Sequence, residues 1–175
     1  GLLASLGKAE VKVTRRPKVA ILATGDEVVD VKEKLKPGKI RSSNTYTLYA
    51  QIIKSGGIPK ILGIAKDRPL ELEKKIKLGL DCDFILTSGG VSVGDYDLVK
   101  VILAKIGTKI KFWKIAMRPG KPLVFGTIKN KLVFGLPGNP VSSMVSFEIF
   151  VKPAILKMLG QKEDERKEVE AVLEE

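Results

Sequence analysis

The chain has 175 residues, of which 44% are hydrophobic, and this length and composition fit one globular domain with a sizeable core. Its formal net charge of +11 suits an anionic partner, but the sequence lacks the arginine-rich run or aromatic-interleaved basic stripe of a nucleic-acid binder, so we expect no nucleic acid. It has no histidine and one cysteine, which excludes Cys/His zinc sites and internal disulfides. It also has no long apolar run and no start typical of a secretory signal, so we expect a cytoplasmic protein without a membrane partner.

Short apolar runs alternate with amphipathic segments through most of the chain. Alternating βα units predict an α/β fold of three layers, with a mainly parallel sheet, helices on both faces and an antiparallel hairpin towards one edge. In chain order, the predicted elements are strand Lys18–Ala23, a helix over Thr45–Lys54 capped by Asn44, strand Ile58–Ala65, a helix from Pro69 to about Leu80, strand Asp83–Thr87, a helix from about Tyr96 to Ile106, strand Ile110–Ala116, a hairpin of Leu123–Ile128 and Lys131–Leu136 around Lys129-Asn130, and a helix from Pro140 to about Leu159, kinked at Pro153.

Three regions are predicted along the chain. Residues 1–17 are expected to end a preceding segment, residues 18–160 to form the globular domain, and residues 161–175 to be a charged linker and the truncated start of a C-terminal domain. Cys82 has no basic partner nearby in sequence, so we expect a small packed residue rather than a reactive thiol.

Every unusual cluster of residues follows the carboxyl end of a predicted strand. Ligands of open α/β sheets bind outside that edge, so a shared pocket is favoured over five unrelated turns. The clusters are TGDE (24–27), KDR (66–68), SGGVSVGDYD (88–97), MRPGKP (117–122) and LPGNP (136–140).

The segment SGGVSVGDYD predicts an anion site at the start of a helix. Its glycines permit close approach of the backbone to a ligand, its serines supply hydroxyl groups, and a helix N-terminus favours an anion. Its two aspartates either cap the helix or recruit Mg²⁺ or a heterocycle. These residues are Gly89, Gly90, Gly94, Ser88, Ser92, Asp95 and Asp97.

The other clusters have both a binding and a structural interpretation. MRPGKP places fixed cations on a rigid turn, which suits an oxyanion, although such turns are common on surfaces. LPGNP is also typical of a strand-to-helix turn, and TGDE of a solvated turn. Asp67 is either a ligand or an ion-pair partner of Lys66 or Arg68.

Taken together in this order, the motifs resemble the MoeA family of molybdenum insertases, which includes the E domain of gephyrin, over about residues 1–160. The resemblance implies a MogA-like fold and the last step of molybdenum cofactor synthesis. In that step molybdate is inserted into adenylylated molybdopterin and AMP is released, with Mg²⁺ involved. It also implies a homodimer for the full-length protein and little or no turnover by the isolated domain.

The resemblance implies a role for individual residues in this sequence. Glu27, Asp67 and Asp97 match catalytic carboxylates, and Asp67 and Asp97 would hold the metal. The residues that would bind the pterin and its phosphate are Thr24, Gly25, Ser88, Gly89, Gly90, Ser92, Gly94 and Asp95. Those that would bind molybdate or another anion are Lys114, Arg118, Gly120, Lys121, Pro137, Gly138, Asn139 and Pro140.

Two other functions remain open at this point. A MogA-type adenylyltransferase would carry out the preceding step with ATP on the same fold. A non-catalytic scaffold domain, as in gephyrin, would bind a protein instead. The extension SVGD and the motifs PGKP and LPGNP favour the insertase.

Overall fold

The structure is a computed structural model that describes residues 1–90, 98–161 and 170–171. Four predicted site residues, Ser92, Gly94, Asp95 and Asp97, therefore lie outside the described residues, as does the start of the helix predicted from about Tyr96. Among the helices that are described, none is long and apolar enough to cross a membrane.

Six strands form one mixed sheet in the order β4-β1-β5-β8-β7-β6, and two short strands, β2 and β3, pair in parallel beside it. Most of them match the predicted apolar runs to within one or two residues. Their bounds are β1 Lys18–Thr24, β2 Val28–Val29, β3 Ile40–Arg41, β4 Ile58–Ala65, β5 Phe84–Ser88, β6 Lys109–Lys114, β7 Pro122–Ile128 and β8 Lys131–Leu136.

The direction of the strands places the described residues of all five predicted motifs at one edge of the sheet. The four strands β4, β1, β5 and β8 are mutually parallel, and β7 runs antiparallel to β8. Because β6 is antiparallel to β7, it runs with the other four. The hairpin at Lys129 and Asn130, both with positive φ, creates this reversal and confirms the predicted antiparallel pairing towards one edge.

Helices cover both faces of the sheet, which confirms the three-layer fold. One core lies between the sheet and α2, α6 and the segment Phe147–Val151, and a second lies under α3 and α4. The alternation of strand side chains separates them: Ile21 belongs to the first core and Leu22 to the second, and each is fully buried. The helices are α1 Leu2–Ser5, α2 Ser43–Lys54, α3 Pro69–Leu78, α4 Leu98–Lys105, α5 Pro140–Ser146 and α6 Lys152–Met158.

The predicted helix from Pro140 to about Leu159 is helical throughout, but it consists of three parts. Between α5 and α6 the chain makes a π-helical turn over Phe147–Val151. This wide turn lies just ahead of Pro153, which has no N–H to donate to the preceding turn. The irregularity predicted at Pro153 is therefore found one turn earlier.

The start of α2 corrects one prediction from the sequence. Asn44 is not the cap, because the helix begins at Ser43 and Ser42 occupies the N-cap position. The Asn44 amide instead donates hydrogen bonds to two segments outside the helix, which satisfies its N–H groups better than a local turn does. Helix α1 and the two-residue strands β2 and β3 were not predicted.

An ion pair anchors residues 15–17 at the edge of the sheet opposite to the motifs. Arg15 donates two hydrogen bonds, of 2.7 and 2.6 Å, to the Asp83 carboxylate, which also accepts the Lys18 N–H at 2.8 Å. The Arg15 hydrogen bond is the main reason that the pKa of Asp83 falls to about 2, against the opposing effect of burial. The Pro17 carbonyl accepts the Ile58 N–H and ties the same segment to β4.

Cys82 is fully buried in front of β5, which confirms its prediction as a packed residue. Burial, together with the neighbouring Asp81 carboxylate, raises the pKa of the thiol to about 11. The thiolate is the reactive form, so this side chain is inert at neutral pH.

Candidate functional site

A cleft of about 250 Å³ opens at the carboxyl edge of β1, β5 and β8, the three adjacent parallel strands at the centre of the sheet. We call it the central cleft. Three of the predicted motifs meet in it: TGDE after β1, the serine and glycines after β5, and LPGNP after β8. The predicted residues that line it are Thr24, Glu27, Ser88, Gly89, Gly138 and Pro140.

Two glycines after β5 allow that loop to touch the end of β1. Gly89 and Gly90 have φ of +90° and +66°, a region that other residues rarely adopt. A Cβ on Gly89 would lie 2.6 Å from the Thr24 carbonyl oxygen, and one on Gly90 would lie 2.6 Å from Thr24 Oγ1. Thr24 is 2% exposed, and its hydroxyl has no hydrogen-bond partner among the described residues. The Thr24 hydroxyl therefore lies under the β5 loop, against Gly90.

Asn44 connects three walls of the central cleft. Its Nδ2 donates to Ser88 Oγ at 2.8 Å and to the Gly138 carbonyl oxygen at 2.9 Å. Ser88 is the last residue of β5, Gly138 is on the loop after β8, and Asn44 itself is in α2. The two hydrogen bonds fix both segments relative to the helix, so Asn44 is a structural part of the site.

Two charged groups, one carboxylate and one guanidinium, line the central cleft in the described part of the chain. Among the described lining residues, Glu27 is the only acid and Arg41 the only base. The Glu27 carboxylate folds back over Gly25, where an added Cβ would lie 2.6 Å from its Oε2 atom. Arg41 Nε donates to the Val31 carbonyl at 3.3 Å, which leaves its other N–H groups for a ligand.

Arg41 is a site residue that sequence reasoning missed. It lies on a two-residue strand, which carries no periodicity, and its neighbours Ile40 and Ser42 give no motif. The only signal was its place in the polar stretch between β1 and α2, opposite TGDE.

Asp67 does not line the central cleft and instead lies beside Asp26. The Asp26 N–H points to Asp67 Oδ2 at 3.4 Å, and the Asp67 N–H points to Asp26 Oδ1 at 3.3 Å. Lys66 makes no ion pair with Asp67 and donates to the carbonyls of Asp26 and Val28. In the described part of the chain, no group of three potential ligands surrounds a possible metal position. The structure therefore brings two carboxylates together next to the cleft.

The basic turn MRPGKP lies on the far side of β7 from the central cleft. Lys114, Arg118, Gly120 and Lys121 are absent from the described lining of that cleft. The Lys114 ammonium lies 4.9 Å from the centre of the Trp113 ring. The turn contains a cis bond between Arg118 and Pro119.

A buried hydroxyl lies under that turn. A Cβ on Gly120 would be 2.9 Å from Ser146 Oγ, and Ser146 is fully buried. Among the described residues, Ser146 Oγ and the nearby Ser143 Oγ have no hydrogen-bond partner. Neither serine was identified from the sequence.

The motif LPGNP has a structural role at the start of α5. The side-chain oxygen of Asn139, Oδ1, accepts the Ser142 N–H at 3.1 Å and caps the helix, and Pro140 lies in the first turn. Pro137 follows β8, and its neighbour Leu136 accepts the Gly89 N–H at 3.1 Å. This turn therefore holds the β5 loop in place.

A family model and several relatives of known name all match this chain to molybdopterin proteins. The family described as "Probable molybdopterin binding domain" matches residues 20–157. The chain is 47% identical over 163 residues to a molybdopterin molybdenumtransferase of Haemophilus influenzae, covering 93% of this chain and 40% of that protein. It is 46% identical over 158 residues to the protein of the same name from Bacillus subtilis, covering 88% and 36%.

A solved structure agrees with these relatives. The molybdopterin biosynthesis moeA protein from Pyrococcus horikosii matches with a TM-score of 0.82 and 38% identity, covering 91% of this chain and 40% of that one. Molybdenum cofactor biosynthesis protein B matches with a TM-score of 0.63 at 17% identity, which shows a shared fold alone. The chain spans about two fifths of the length of the relatives named "molybdopterin molybdenumtransferase".

Proposed function

The chain belongs to the family described as the probable molybdopterin binding domain, and from that premise we propose that its central cleft binds the pterin and phosphate of molybdopterin. The observation that carries this proposal is the meeting of Thr24, Glu27 and Arg41 in one cleft at the carboxyl edge of β1 and β5. That edge is where open α/β sheets bind their ligands.

The two charged groups of the cleft match the two chemical ends of the ligand. The aminopyrimidinone ring of a pterin presents adjacent N–H donors, which a carboxylate such as Glu27 accepts in pairs. The phosphate at the other end requires a cation, which Arg41 supplies. A neutral or purely cationic ligand would leave one of these groups without a partner.

The full protein, in this proposal, inserts molybdate into adenylylated molybdopterin with release of AMP. The relatives that carry the name "molybdopterin molybdenumtransferase" are more than twice as long as this chain, so turnover belongs to the whole protein. Lys114, Arg118 and Lys121 would attract molybdate, because cations fixed around one rigid turn suit an oxyanion. Pro137, Gly138, Asn139 and Pro140 would form the wall between the two sites.

Mg²⁺ fits the chemistry of the residues beside the central cleft. Magnesium prefers oxygen ligands and usually takes one or two carboxylates together with water and substrate phosphate. Asp67 and its neighbour Asp26 are such carboxylates, and Asp97, outside the described residues, would be a third. When bound, the ion would neutralise phosphate charge and polarise the phosphoanhydride. The resemblance to the MoeA family supports a homodimer for the full protein, and the single cysteine fits a cytoplasmic location.

Equilibrium binding of molybdopterin to the full chain tests the proposed cleft. We expect Glu27→Gln and Arg41→Gln each to raise the Kd about 10- to 100-fold, because each removes hydrogen bonds to a charged group. Binding to the parent should weaken as salt rises, and Arg41→Gln should lose much of that dependence. Lys111→Gln, an exposed change on β6, is the control.

Parent-like binding by both cleft variants would contradict the proposed site. A separate outcome would change the reaction: formation of adenylylated molybdopterin from ATP would assign the protein to the MogA-type adenylyltransferases. Release of AMP from adenylylated molybdopterin in the presence of molybdate would support the insertase.

A further inference from the structure

A second cleft, of about 460 Å³, lies beside the central cleft and has a different character. Five cationic side chains from two loops line it: Lys34, Lys36, Lys39, Lys66 and Arg68. We call it the basic cleft. None of these five residues belongs to the set assigned to pterin, molybdate or metal.

The two clefts lie on either side of the short β2–β3 ribbon. Glu27 and Val28 line the central cleft, whereas their chain neighbours Asp26 and Val29 line the basic cleft. On the other strand, Arg41 lines the first and Lys39 the second. The basic cleft is therefore a separate concavity that shares a wall with the central one.

Two ammonium groups converge on one carbonyl at the base of the basic cleft. Lys39 Nζ donates to the Asp26 carbonyl oxygen at 3.0 Å, and Lys66 Nζ reaches the same oxygen at 3.3 Å. Lys66 Nζ also donates to the Val28 carbonyl at 2.9 Å. Two positive charges are thus held a few ångströms apart by neutral acceptors, and their mutual repulsion favours an anion between them.

Of the described residues that line the basic cleft, the two carboxylates, Asp26 and Glu33, form no ion pair with the cations. Asp26 Oδ1 faces the Asp67 N–H, and Glu33 Oε1 accepts the Asp30 N–H at 3.3 Å. No ion pair in the described part of the chain includes any of the five cations. Among the described lining residues, five are positive and two are negative, which gives a net charge of +3.

We propose that the basic cleft binds a phosphate group. A singly charged anion would leave most of this net charge uncompensated, whereas phosphate carries more than one negative charge on a compact set of oxygen acceptors. Lysine ammonium groups act as point charges that meet such oxygens from several directions, and Arg68 adds a planar fork of donors. The phosphate is that of a free phosphate or diphosphate, or that of a nucleotide.

Isothermal titration of inorganic pyrophosphate into the full chain tests this site. The parent is expected to bind one equivalent saturably, and the double variant Lys34→Gln/Lys36→Gln is expected to raise the Kd at least 10-fold. The matched control is Lys109→Gln/Lys111→Gln, which removes the same charge from exposed positions on β6, at the far edge of the sheet. Its Kd should stay within about twofold of the parent.

Further titrations identify the source of the phosphate and isolate the site. AMP binding at least 10-fold tighter than inorganic phosphate supports a nucleotide, and equal affinities support a free phosphate. Absence of saturable binding, or an equal loss of affinity in both double variants, overturns the proposal. Lys34 and Lys36 are exposed, so unchanged thermal unfolding and parent-like molybdopterin binding are expected of that variant. These readouts separate failure of this site from failure of the central cleft.

Discussion

At the scale of a single residue, Asn44 shows how much of the site depends on one amide. Its replacement by alanine leaves Ser88 Oγ and the Gly138 carbonyl without their hydrogen-bond donor. Two lost hydrogen bonds predict that Asn44→Ala lowers the free energy of unfolding by about 1–3 kcal/mol and weakens molybdopterin binding. Urea denaturation and equilibrium binding measure the two effects. The control is Thr47→Ala, which loses one exposed hydrogen bond of 3.3 Å in the same helix and should lower the free energy of unfolding by less than about 0.5 kcal/mol. Equal losses of unfolding free energy in the two variants would contradict a special role for Asn44.

At the scale of an element, the contact between the end of β1 and the β5 loop requires glycine. Gly89→Ala adds a methyl group 2.6 Å from the Thr24 carbonyl oxygen at a φ of +90°. We expect a loss of about 2–4 kcal/mol in urea denaturation, since backbone strain and a backbone clash combine. Gly107→Ala is a matched control, because Gly107 has a φ of +88° and open space around it. It should lose only about 1–2 kcal/mol, and a similar loss at both positions would show that the β1 contact is loose.

At the scale of the whole molecule, the Arg15–Asp83 pair makes stability depend on acid pH. The pKa of Asp83 is about 2 in the folded chain and about 3.9 when unfolded, whereas arginine stays charged. The folded state thus gains stability above about pH 4 and loses it as the pH falls towards 2. Unfolding measured from pH 7 to pH 2 should show a shallower acid decline for Asp83→Asn, together with a loss of about 1–3 kcal/mol at pH 7. An unchanged decline would assign the acid sensitivity to other carboxylates.

The same three scales show what the sequence could predict. The buried strands β1 and β5 have nearly continuous apolar runs, and turn residues mark the β7–β8 hairpin, so these elements follow from composition. The edge at which the motifs meet follows from parallel pairing. The helical cap at Asn44 was wrong because a local pattern does not show that Ser88 and Gly138 lie within reach of its amide.

The parts of the site that the sequence did not predict are those made by contacts between residues far apart in the chain. Strands β2 and β3 have two residues each, so they carry no periodic signal, and Arg41 and the lysines of the basic cleft depend on their pairing. The separation of Asp67 from Glu27 is also a tertiary feature. Glu27 follows β1, whereas Asp67 follows β4, which lies beside β1 at the edge of the sheet.

The mixed strand order also has a kinetic consequence. Strands β6, β7 and β8 are consecutive in the chain and pair as a meander, so their contacts close short loops. The central strand β1 pairs with β4 and β5, and Val19 meets Phe84 only after the intervening helices have been brought together. Local pairing is fast and long-range parallel pairing is slow, so we expect the meander to form before β1, β5 and β8 pair with one another. The central cleft, which needs β1, β5 and β8 together, is then among the last features of the molecule to take shape.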